Sequence, residues 1–338
     1  MPILRLEYGK QMIVISNVGP DDPVPPRRRW PWGTGWVALL LLSVVIYGSH
    51  APLIGLSKVG GVVPFSSSSC VVLIELAKLL TALSLLAAHD LPTLSTGLLP
   101  WMHAAPYILP ALLYALNNNL VVVMQAHMDP STFQVLSNLK VAMTGLFYCT
   151  CLGKRLSCRQ WVALSLLMLA GVCHSYSSLE TKGLGEAGGG AAQTKLHIST
   201  WGLLLVLSYC SFSGLAAVYT ELILKTQQLP LSLQNVYLYA FGVAVNVTAH
   251  LLGAGGGQSF LEGYSLVVWV IVLSQAANGL LMSVVMKYGS SITRLFVISC
   301  SMLVNAALSW ALLGLQLTPL FGLAVLMIGL AVHLYYSD

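Results

Sequence analysis

Charged side chains are scarce in this chain of 338 residues. It contains 16 Lys and Arg and 11 Asp and Glu, so that only 8% of its residues are charged, whereas soluble domains carry about 25%. A water-soluble globular domain is therefore excluded. The net charge of +5 does not by itself imply a nucleic-acid partner, because the basic residues follow a different pattern, described below.

Motifs of the common enzyme classes are also missing. The sequence has no DxD, HExxH, Walker A or GxSxG motif and no paired carboxylates on a predicted loop. The seven cysteines lie within apolar runs or at their edges, and their spacing indicates neither a disulfide framework nor a zinc site. We therefore expect a protein that is not an enzyme and uses no cofactor or metal.

Long apolar runs dominate what is present. The mean hydropathy is +0.79 and 57% of the residues are hydrophobic. Because one crossing of a bilayer takes about 20 residues, we predict an all-α membrane protein that follows a cytosolic tail at 1–32. Its ten predicted transmembrane helices lie at 33–54, 66–88, 104–126, 132–151, 159–177, 200–224, 232–252, 265–286, 293–313 and 317–335.

The basic residues between these runs predict the orientation, since loops on the cytosolic side collect Lys and Arg. Lys58, Lys182 and Lys195 fall on one side, and Lys78 and Lys140 lie inside predicted spans. The other side carries Arg5, Lys10, Arg27, Arg28, Arg29, Lys154, Arg155, Arg159, Lys225, Lys287 and Arg294. Both termini, including the short C-terminal segment 336–338, are therefore predicted to be cytosolic.

A glycine-containing stretch at 178–199 divides the spans into two sets of five, at 33–177 and 200–335. Leu166–Tyr176 aligns with Val325–Tyr335, and at nearly the same offset Asn118 aligns with Asn278. Two repeats with five helices each must have opposite topologies, which is the architecture of many secondary transporters. We therefore predict a lumenal linker at 178–199 between inverted five-helix repeats, and a transporter.

Lys140 lies near the middle of the fourth predicted span. A charge at a helix centre costs roughly 2.5 to 3.5 kcal/mol on insertion scales, so such a residue usually faces a polar cavity and has a partner. We expect that partner to be an anionic ligand, and the alternative is a protein carboxylate such as Glu75. Arg294 lies at the mouth between the eighth and ninth spans, where its planar guanidinium suits phosphate oxygens.

Other polar residues within the spans allow a structural and a functional interpretation. Glu75 and Lys78, like Glu221 and Lys225, have the spacing of ion pairs on one helix face, which would orient helices or gate a cavity. The third span carries Asn117, Asn118 and Asn119, which would either bridge helices or line the path of a solute. Together with the two basic groups, they indicate an anionic solute such as a phosphate ester.

Four blocks of sequence carry a resemblance to a known family. These blocks are Leu113–Gly145, Ser213–Lys225, Gln234–Gly242 and Asn278–Ser301. The chain resembles, over nearly its whole length after Trp36, the nucleotide-sugar transporter family, solute carrier family 35, subfamily A. The resemblance implies a ten-helix drug/metabolite transporter fold in the Golgi membrane. It also implies exchange of a cytosolic nucleotide sugar for a lumenal nucleoside monophosphate.

The resemblance also implies a set of substrate-binding residues. The basic groups that bind phosphate in the family fall on Lys140 and Arg294, and its amide contacts to the nucleotide fall on Asn117 and Asn118. The pocket positions of the sixth and seventh spans fall on Ser213, Asn235 and Tyr239. A pyrimidine ring would stack on Phe133 or Tyr239.

The chain departs from its pyrimidine-specific relatives at several of these positions. They have Tyr and Gln where this chain has Phe133 and Asn117, Lys where it has Arg294, and Ser where it has Phe241. These changes leave open whether the solute is a UDP-sugar or a CMP- or CDP-linked sugar or polyol. A non-transporting scaffold of Golgi glycosylation complexes and a carrier of another phosphate ester remain alternatives. Faces of small residues could pack within the monomer or between monomers, which leaves open a homo- or hetero-oligomer with related transporters.

Overall fold

The computed structural model describes residues 33–59, 62–89, 101–125, 128, 130–186, 200–227, 229–253, 260–314 and 318–337. The predicted tail at 1–32 and residues 187–199 of the predicted linker lie outside the described residues. The chain divides into a unit Met1–Ala38, of which residues 33–38 are described, and a unit Leu39–Asp338.

The described residues are mostly helical, and Val59 and Val62 form an isolated antiparallel bridge. The α-helices are α1 (Thr34–Gly48), α2 (His50–Ser57), α3 (Ser67–His89), α4 (Trp101–Ala104), α5 (Ile108–Gln125), α6 (Pro130–Leu136), α7 (Lys140–Leu152), α8 (Cys158–Glu186), α9 (Thr200–Thr226), α10 (Leu231–Gly253), α11 (Leu266–Tyr288), α12 (Ser291–Leu313) and α13 (Pro319–Tyr336). Short 3-10 turns at Ala105–Tyr107 and Ser137–Leu139 precede α5 and α7.

Eight helical segments in the described part of the chain are long and apolar enough to cross a membrane. They are Thr34–Ser57, Ser67–His89, Thr132–Leu152, Trp201–Thr226, Leu231–Leu252, Leu266–Tyr288, Ser291–Leu312 and Pro319–Tyr336. The protein is therefore a multi-pass membrane protein, as its composition predicts. The two other predicted spans, 104–126 and 159–177, coincide with α5 and α8 but are not among these eight.

The first predicted span is interrupted, because α1 ends at Gly48 and α2 begins at His50. Pro52 lacks the N–H that would continue the helical hydrogen bonds through this point. Gly48 faces α12 so closely that an added Cβ would lie 2.6 Å from the carbonyl oxygen of Ser301. A glycine here lets the first span approach the backbone of α12.

Two further boundaries differ from the predictions. The fourth span is not one continuous helix from 132 to 151, since the turn Ser137–Leu139 separates α6 from α7. The fifth span continues to Glu186, nine residues beyond the predicted end at 177. Its 29 residues correspond to roughly 43 Å at 1.5 Å per residue, longer than the hydrocarbon core of about 30 Å. The predicted linker is therefore partly helical.

Packing between the two halves follows a regular pattern. The most extensive contacts join α8 to α13, the fifth to the tenth predicted span, and α3 to α10, the second to the seventh. The contacts of α7 and α5 with α9 have counterparts in the contacts of α12 and α11 with α2. The contact of α5 with α10 likewise has a counterpart in that of α11 with α3. These principal contacts between the two halves therefore occur in matching pairs.

Candidate functional site

A cavity of about 410 Å³ lies between the helices of the Leu39–Asp338 unit. Ligand pockets typically have volumes of roughly 300 to 1,000 Å³, so it is large enough for a small organic solute. Side chains from both halves of the chain line it. Its polar lining consists of Tyr47, His50, Glu75, Lys78, Tyr114, Thr220, Tyr239, Asn246, Gln275, Asn278 and Arg294.

Arg294 occupies one end of this cavity, in the first turn of α12. Its Nη1 donates a hydrogen bond to the hydroxyl of Tyr114 on α5 at 3.0 Å and lies 3.8 Å from the sulfur of Met286 on α11. Its Nε is buried and has no hydrogen-bond partner among the described residues, and no described carboxylate lies within 4 Å of the guanidinium. Within the described part of the chain, this cation is therefore held in the cavity wall without a counter-ion.

Glu75 and Lys78 occupy the middle of the cavity as an ion pair. Lys78 Nζ lies 2.5 Å from Glu75 Oε1, and both side chains are largely buried. The carboxylate lies against Gly242 of α10, and the stem of Lys78 lies against Gly279 of α11, where added Cβ atoms would be 2.7 Å and 2.5 Å away. The two glycines make room for the pair, which joins α3 to both neighbouring helices.

Tyr239 completes this central layer. Its hydroxyl donates to the carbonyl oxygen of Gly279 at 3.1 Å, and the ammonium of Lys78 lies 4.6 Å from its ring centroid. The face of the ring is therefore already in contact with a cation in this conformation. Since Glu75 neutralises Lys78, the charged groups in the described lining leave a single positive charge, that of Arg294.

Lys140 lies elsewhere, at the start of α7 and outside the described lining of this cavity. The turn Ser137–Leu139 before it is fixed by Asn138, whose side chain is buried and donates to the carbonyl oxygens of Gln134 and Val135, each at 3.1 Å. The same amide nitrogen lies 3.3 Å from Ser175 Oγ on α8. A break in the helix, held by a buried amide, thus sets the position of Lys140.

Lys140 lies between Leu139 and Met143, which belong to a cluster of apolar side chains. No described carboxylate lies within 4 Å of its ammonium, so the alternative partner Glu75 is not bound to it. Phe133 packs edge to face against Tyr209 at 5.3 Å between ring centroids. Ser213 lies on α9 beside Gly214, where that helix approaches the backbone of α7. Phe133 and Ser213 therefore belong to the region of Lys140.

The predicted amide residues are on two helices. Asn117 lies one turn after Tyr114 on α5, and its Oδ1 is buried without a hydrogen-bond partner in the described part of the chain. Asn235 is also buried with its Oδ1 unpartnered, one turn before Tyr239 on α10. The backbone of Asn118 is helical, but its side chain is outside the described residues. Asn117 and Asn235 thus lie on the helix faces that carry Tyr114 and Tyr239, but neither belongs to the described lining of the cavity.

Glu221 and Lys225 lie at the end of α9, close to the start of α12. Glu221 is fully buried rather than at the surface, and its Oε1 lies 2.6 Å from Lys225 Nζ and 4.0 Å from Lys154 Nζ. Its Oε2 accepts a hydrogen bond from the backbone N–H of Ser291 at 2.6 Å. Burial and the nearby charge of Lys225 lower the pKa of Lys154 from its ordinary value of 10.5, against the opposing effect of Glu221.

Sequence reasoning missed several polar residues of the cavity. Tyr114, the hydrogen-bond partner of Arg294, was not proposed as a site residue, nor were His50 and Gln275. Asn278 was noted only for its place in the repeat alignment. The signal was available for α11, where Gln275 and Asn278 are three residues apart in an otherwise apolar helix and hence share one face.

The family profile of the nucleotide-sugar transporters, described as "Nucleotide-sugar transporter", matches residues 38–336. This chain belongs to the nucleotide-sugar transporter family. The resemblance predicted from the four sequence blocks is thereby confirmed. The match spans the described helices from within α1 to the end of α13, so the cavity and the region of Lys140 both lie inside it.

Three relatives illustrate the similarity, and each is called "Probable UDP-sugar transporter protein SLC35A4". The protein of Danio rerio is 59% identical over 96% of this chain and 100% of its own length. Those of Sus scrofa and Homo sapiens are 57% and 55% identical, each over 94% of this chain and 99% of their own lengths. The relatives are therefore transporters by name and similar to this family member from end to end.

A solved structure described as "Crystal structure of protein" shares the fold. It superimposes with a TM-score of 0.65, covers 88% of this chain and 95% of that chain, and has 12% sequence identity. At this identity the likeness concerns the fold alone.

Proposed function

We propose that this protein is an antiporter of the Golgi membrane. It exchanges a cytosolic pyrimidine nucleotide linked to a sugar or polyol, either a UDP-sugar or a CMP- or CDP-linked compound, for a lumenal nucleoside monophosphate. Arg294 carries the proposal, because its guanidinium lies in a polar cavity between the two halves of the chain with no described carboxylate beside it. The names of the relatives support a UDP-linked solute.

The architecture that we infer for this activity has ten crossings in two inverted repeats, at 33–177 and 200–335. The matching contacts of the two halves support it, since the second span packs on the seventh and the fifth on the tenth. If the two similar halves exchanged conformations, the cavity would open first to one side of the membrane and then to the other. The distribution of Lys and Arg supports cytosolic termini.

The positive charge of the cavity favours exchange of two solutes over transport of a single solute in one direction. The negative charge of a diphosphate offsets the positive charge of Arg294. It also offsets that of Lys140 once a conformational change has brought Lys140 to the solute. An empty cavity would carry an uncompensated cation through the membrane, which is costly. A nucleoside monophosphate supplies counter-charge for the return step. The mechanism is therefore secondary active transport driven by the opposing gradients of the two nucleotides.

Uptake into proteoliposomes tests the proposal. The purified protein is reconstituted into vesicles preloaded with UMP or CMP, and uptake of radiolabelled UDP-sugars and CMP- and CDP-linked compounds is measured. We expect uptake that depends on the preload, and its loss in Arg294→Gln and Lys140→Ala. Lys58→Gln is the matched control, because Lys58 is an exposed cation after the end of α2.

Each alternative gives a different result in this assay. A non-transporting scaffold would show no uptake and no thermal stabilisation by any nucleotide. A carrier of another phosphate ester would be insensitive to competition by UMP and CMP. Uptake by Arg294→Gln equal to that of the unmodified protein would overturn the role given to this residue.

A further inference from the structure

The end of the cavity opposite Arg294 contains polar atoms without partners. The Nε2 of Gln275, the Oδ1 of Asn278 and the Nδ1 of His50 are each buried and have no hydrogen-bond partner among the described residues. All three side chains line the cavity. A buried polar group without a partner costs free energy, so a cluster of such groups around one space indicates a ligand that hydrogen-bonds to them.

Helix α11 places Gln275 far from Arg294, and Asn278 lies one turn nearer to it. Gln275 precedes Met286, the contact of Arg294 on α11, by eleven residues, which is roughly 16 Å along a helix. Asn246 lies on α10 between two contacts with α3, that of Gly242 with Glu75 and that of His250 with Ser68. These contacts put Asn246 level with Val71, which also lines the cavity. We call Gln275, Asn278, Asn246 and His50 the amide end.

The chemistry of the amide end differs from that of the Arg294 end. It offers an amide donor from Gln275, an amide acceptor from Asn278 and an imidazole nitrogen. Hydroxyl groups both donate and accept, so several hydroxyls on one ligand can satisfy such a mixed set. The cation nearest to it in the described lining, Lys78, is already paired with Glu75 at 2.5 Å.

The ion pair of Glu75 with Lys78 limits the charge that a ligand can carry at the amide end. A carboxylate at the amide end would meet the acceptor Oδ1 of Asn278 and the nearby carboxylate of Glu75, with no free cation in the described lining at this end to balance it. Like charges placed close together in a poorly solvated cavity repel strongly. A neutral group avoids this cost.

We infer that the amide end is a binding subsite for a neutral, hydroxyl-bearing group, and that it selects against solutes whose sugar carries a carboxylate. This inference rests on the proposed function and deepens it. The phosphates and the nucleoside then lie toward Arg294 and Tyr114, and the sugar or polyol lies between α2, α3, α10 and α11. Gln275 and Asn278 determine specificity at this subsite.

Binding of three uridine ligands to the purified protein tests the inference. UDP-glucose and UDP-glucuronate differ only at the sugar's sixth carbon, which carries a hydroxyl in one and a carboxylate in the other, and UMP lacks the sugar. Affinities are measured by competition against radiolabelled UMP. We expect UDP-glucose to bind at least tenfold more tightly than UDP-glucuronate.

Two apolar substitutions of similar size then locate the subsite. Gln275→Met and Asn278→Leu should each weaken UDP-glucose about tenfold and leave UMP within twofold of its original affinity. Ser274→Ala is the matched control on the same helix, since the Ser274 hydroxyl donates to Ile271 within α11 and does not line the cavity. It should leave all three affinities unchanged.

The outcomes separate the two proposals. Retained UMP affinity shows that a variant is folded, so a selective loss of UDP-glucose supports the subsite. Equal losses for UMP and UDP-glucose, or equal binding of UDP-glucose and UDP-glucuronate by the unmodified protein, would overturn the subsite while leaving nucleotide transport intact. Failure of the unmodified protein to bind UMP, CMP and both UDP-sugars would overturn both.

Discussion

The ammonium of Lys78 lies 2.5 Å from a carboxylate oxygen of Glu75 in the wall of the central cavity. Gly242 and Gly279 allow α10 and α11 to approach the two side chains, and the ring of Tyr239 lies 4.6 Å from the ammonium. The pair therefore does two things. It joins three helices, and it keeps Lys78 from acting as a second free cation beside Arg294.

Glu75→Gln should destabilise the protein strongly. Breaking a buried pair by removing one partner typically costs about 3 to 5 kcal/mol, because the remaining charge is left without compensation. We expect a clearly lower melting temperature in detergent, measured by intrinsic fluorescence. The double variant Glu75→Gln/Lys78→Met removes both charges and should regain most of the loss. A double variant no more stable than Glu75→Gln would contradict this explanation.

Glu221 gives a second prediction, at the end of α9. Glu221→Gln removes the counter-charge of Lys225 and weakens the hydrogen bond from the N–H of Ser291. Because Glu221 is fully buried, we expect a loss of about 3 kcal/mol in the free energy of unfolding. The measurement is again thermal unfolding in detergent.

The control for Glu221 is Lys225→Met combined with Glu221→Gln, which leaves no unpaired charge except the partly exposed Lys154. Its melting temperature should lie between those of Glu221→Gln and the unmodified protein. If Glu221→Gln alone unfolds at the original temperature, the carboxylate does not hold the ends of α9 and α12 together.

Lys154 predicts a dependence on pH. Its pKa in the folded protein is below the ordinary value of 10.5, chiefly because of burial and then because of Lys225. The folded state thus releases this proton at a lower pH than the unfolded state does. The cost of this partly desolvated charge is fully present below the lowered pKa and is relieved as the pH rises toward 10.5.

Lys154→Gln should therefore raise the melting temperature at pH 7, and this gain should shrink as the pH approaches 10. Arg155→Gln, at the next and exposed position, is the control and should show no such trend. A difference between Lys154→Gln and the unmodified protein that stays constant from pH 7 to pH 10 would argue against the lowered pKa.

Apolar runs and the spacing of polar residues predict much of this fold. The helices and the ion pairs of Glu75 with Lys78 and Glu221 with Lys225 follow from periodicities of three to four residues within single helices, and such local relationships are readable in a sequence. The break at Ser137–Leu139 is not predicted, because it depends on a contact of Asn138 with α8 that lies far away in sequence. The break at Ser49 has a local cause in Pro52, which the sequence analysis did not use.

The candidate site is predicted less completely for the same reason. The family resemblance assigns phosphate binding to both Lys140 and Arg294, whereas the described lining of the cavity contains Arg294 but not Lys140. The hydrogen bond of Arg294 with Tyr114 spans 180 positions and cannot be read from either helix alone. A role for Lys140 in substrate binding stays a prediction that its uptake experiment tests.

The contact between Gly171 and Asn138 gives the last prediction, because it controls the break before Lys140. A Cβ at position 171 would collide with the Asn138 side-chain oxygen. Gly171→Ala must therefore displace a buried amide that donates to Gln134, Val135 and Ser175. The amide group has two hydrogens and each lost hydrogen bond is worth about 1 kcal/mol, so we expect a loss of roughly 2 kcal/mol in the free energy of unfolding.

A transport measurement distinguishes a change in the position of Lys140 from a loss of stability. If the break sets the position of Lys140, Gly171→Ala should raise the KM for the nucleotide sugar several-fold at temperatures well below its melting point. Gly329→Ala is the matched control, because Gly329 is also within a helix and has nothing within 4 Å of an added Cβ. Only Gly171 faces a buried amide, so only its substitution should have an effect. Equal melting temperatures and equal KM values for Gly171→Ala and Gly329→Ala would contradict this role for the break.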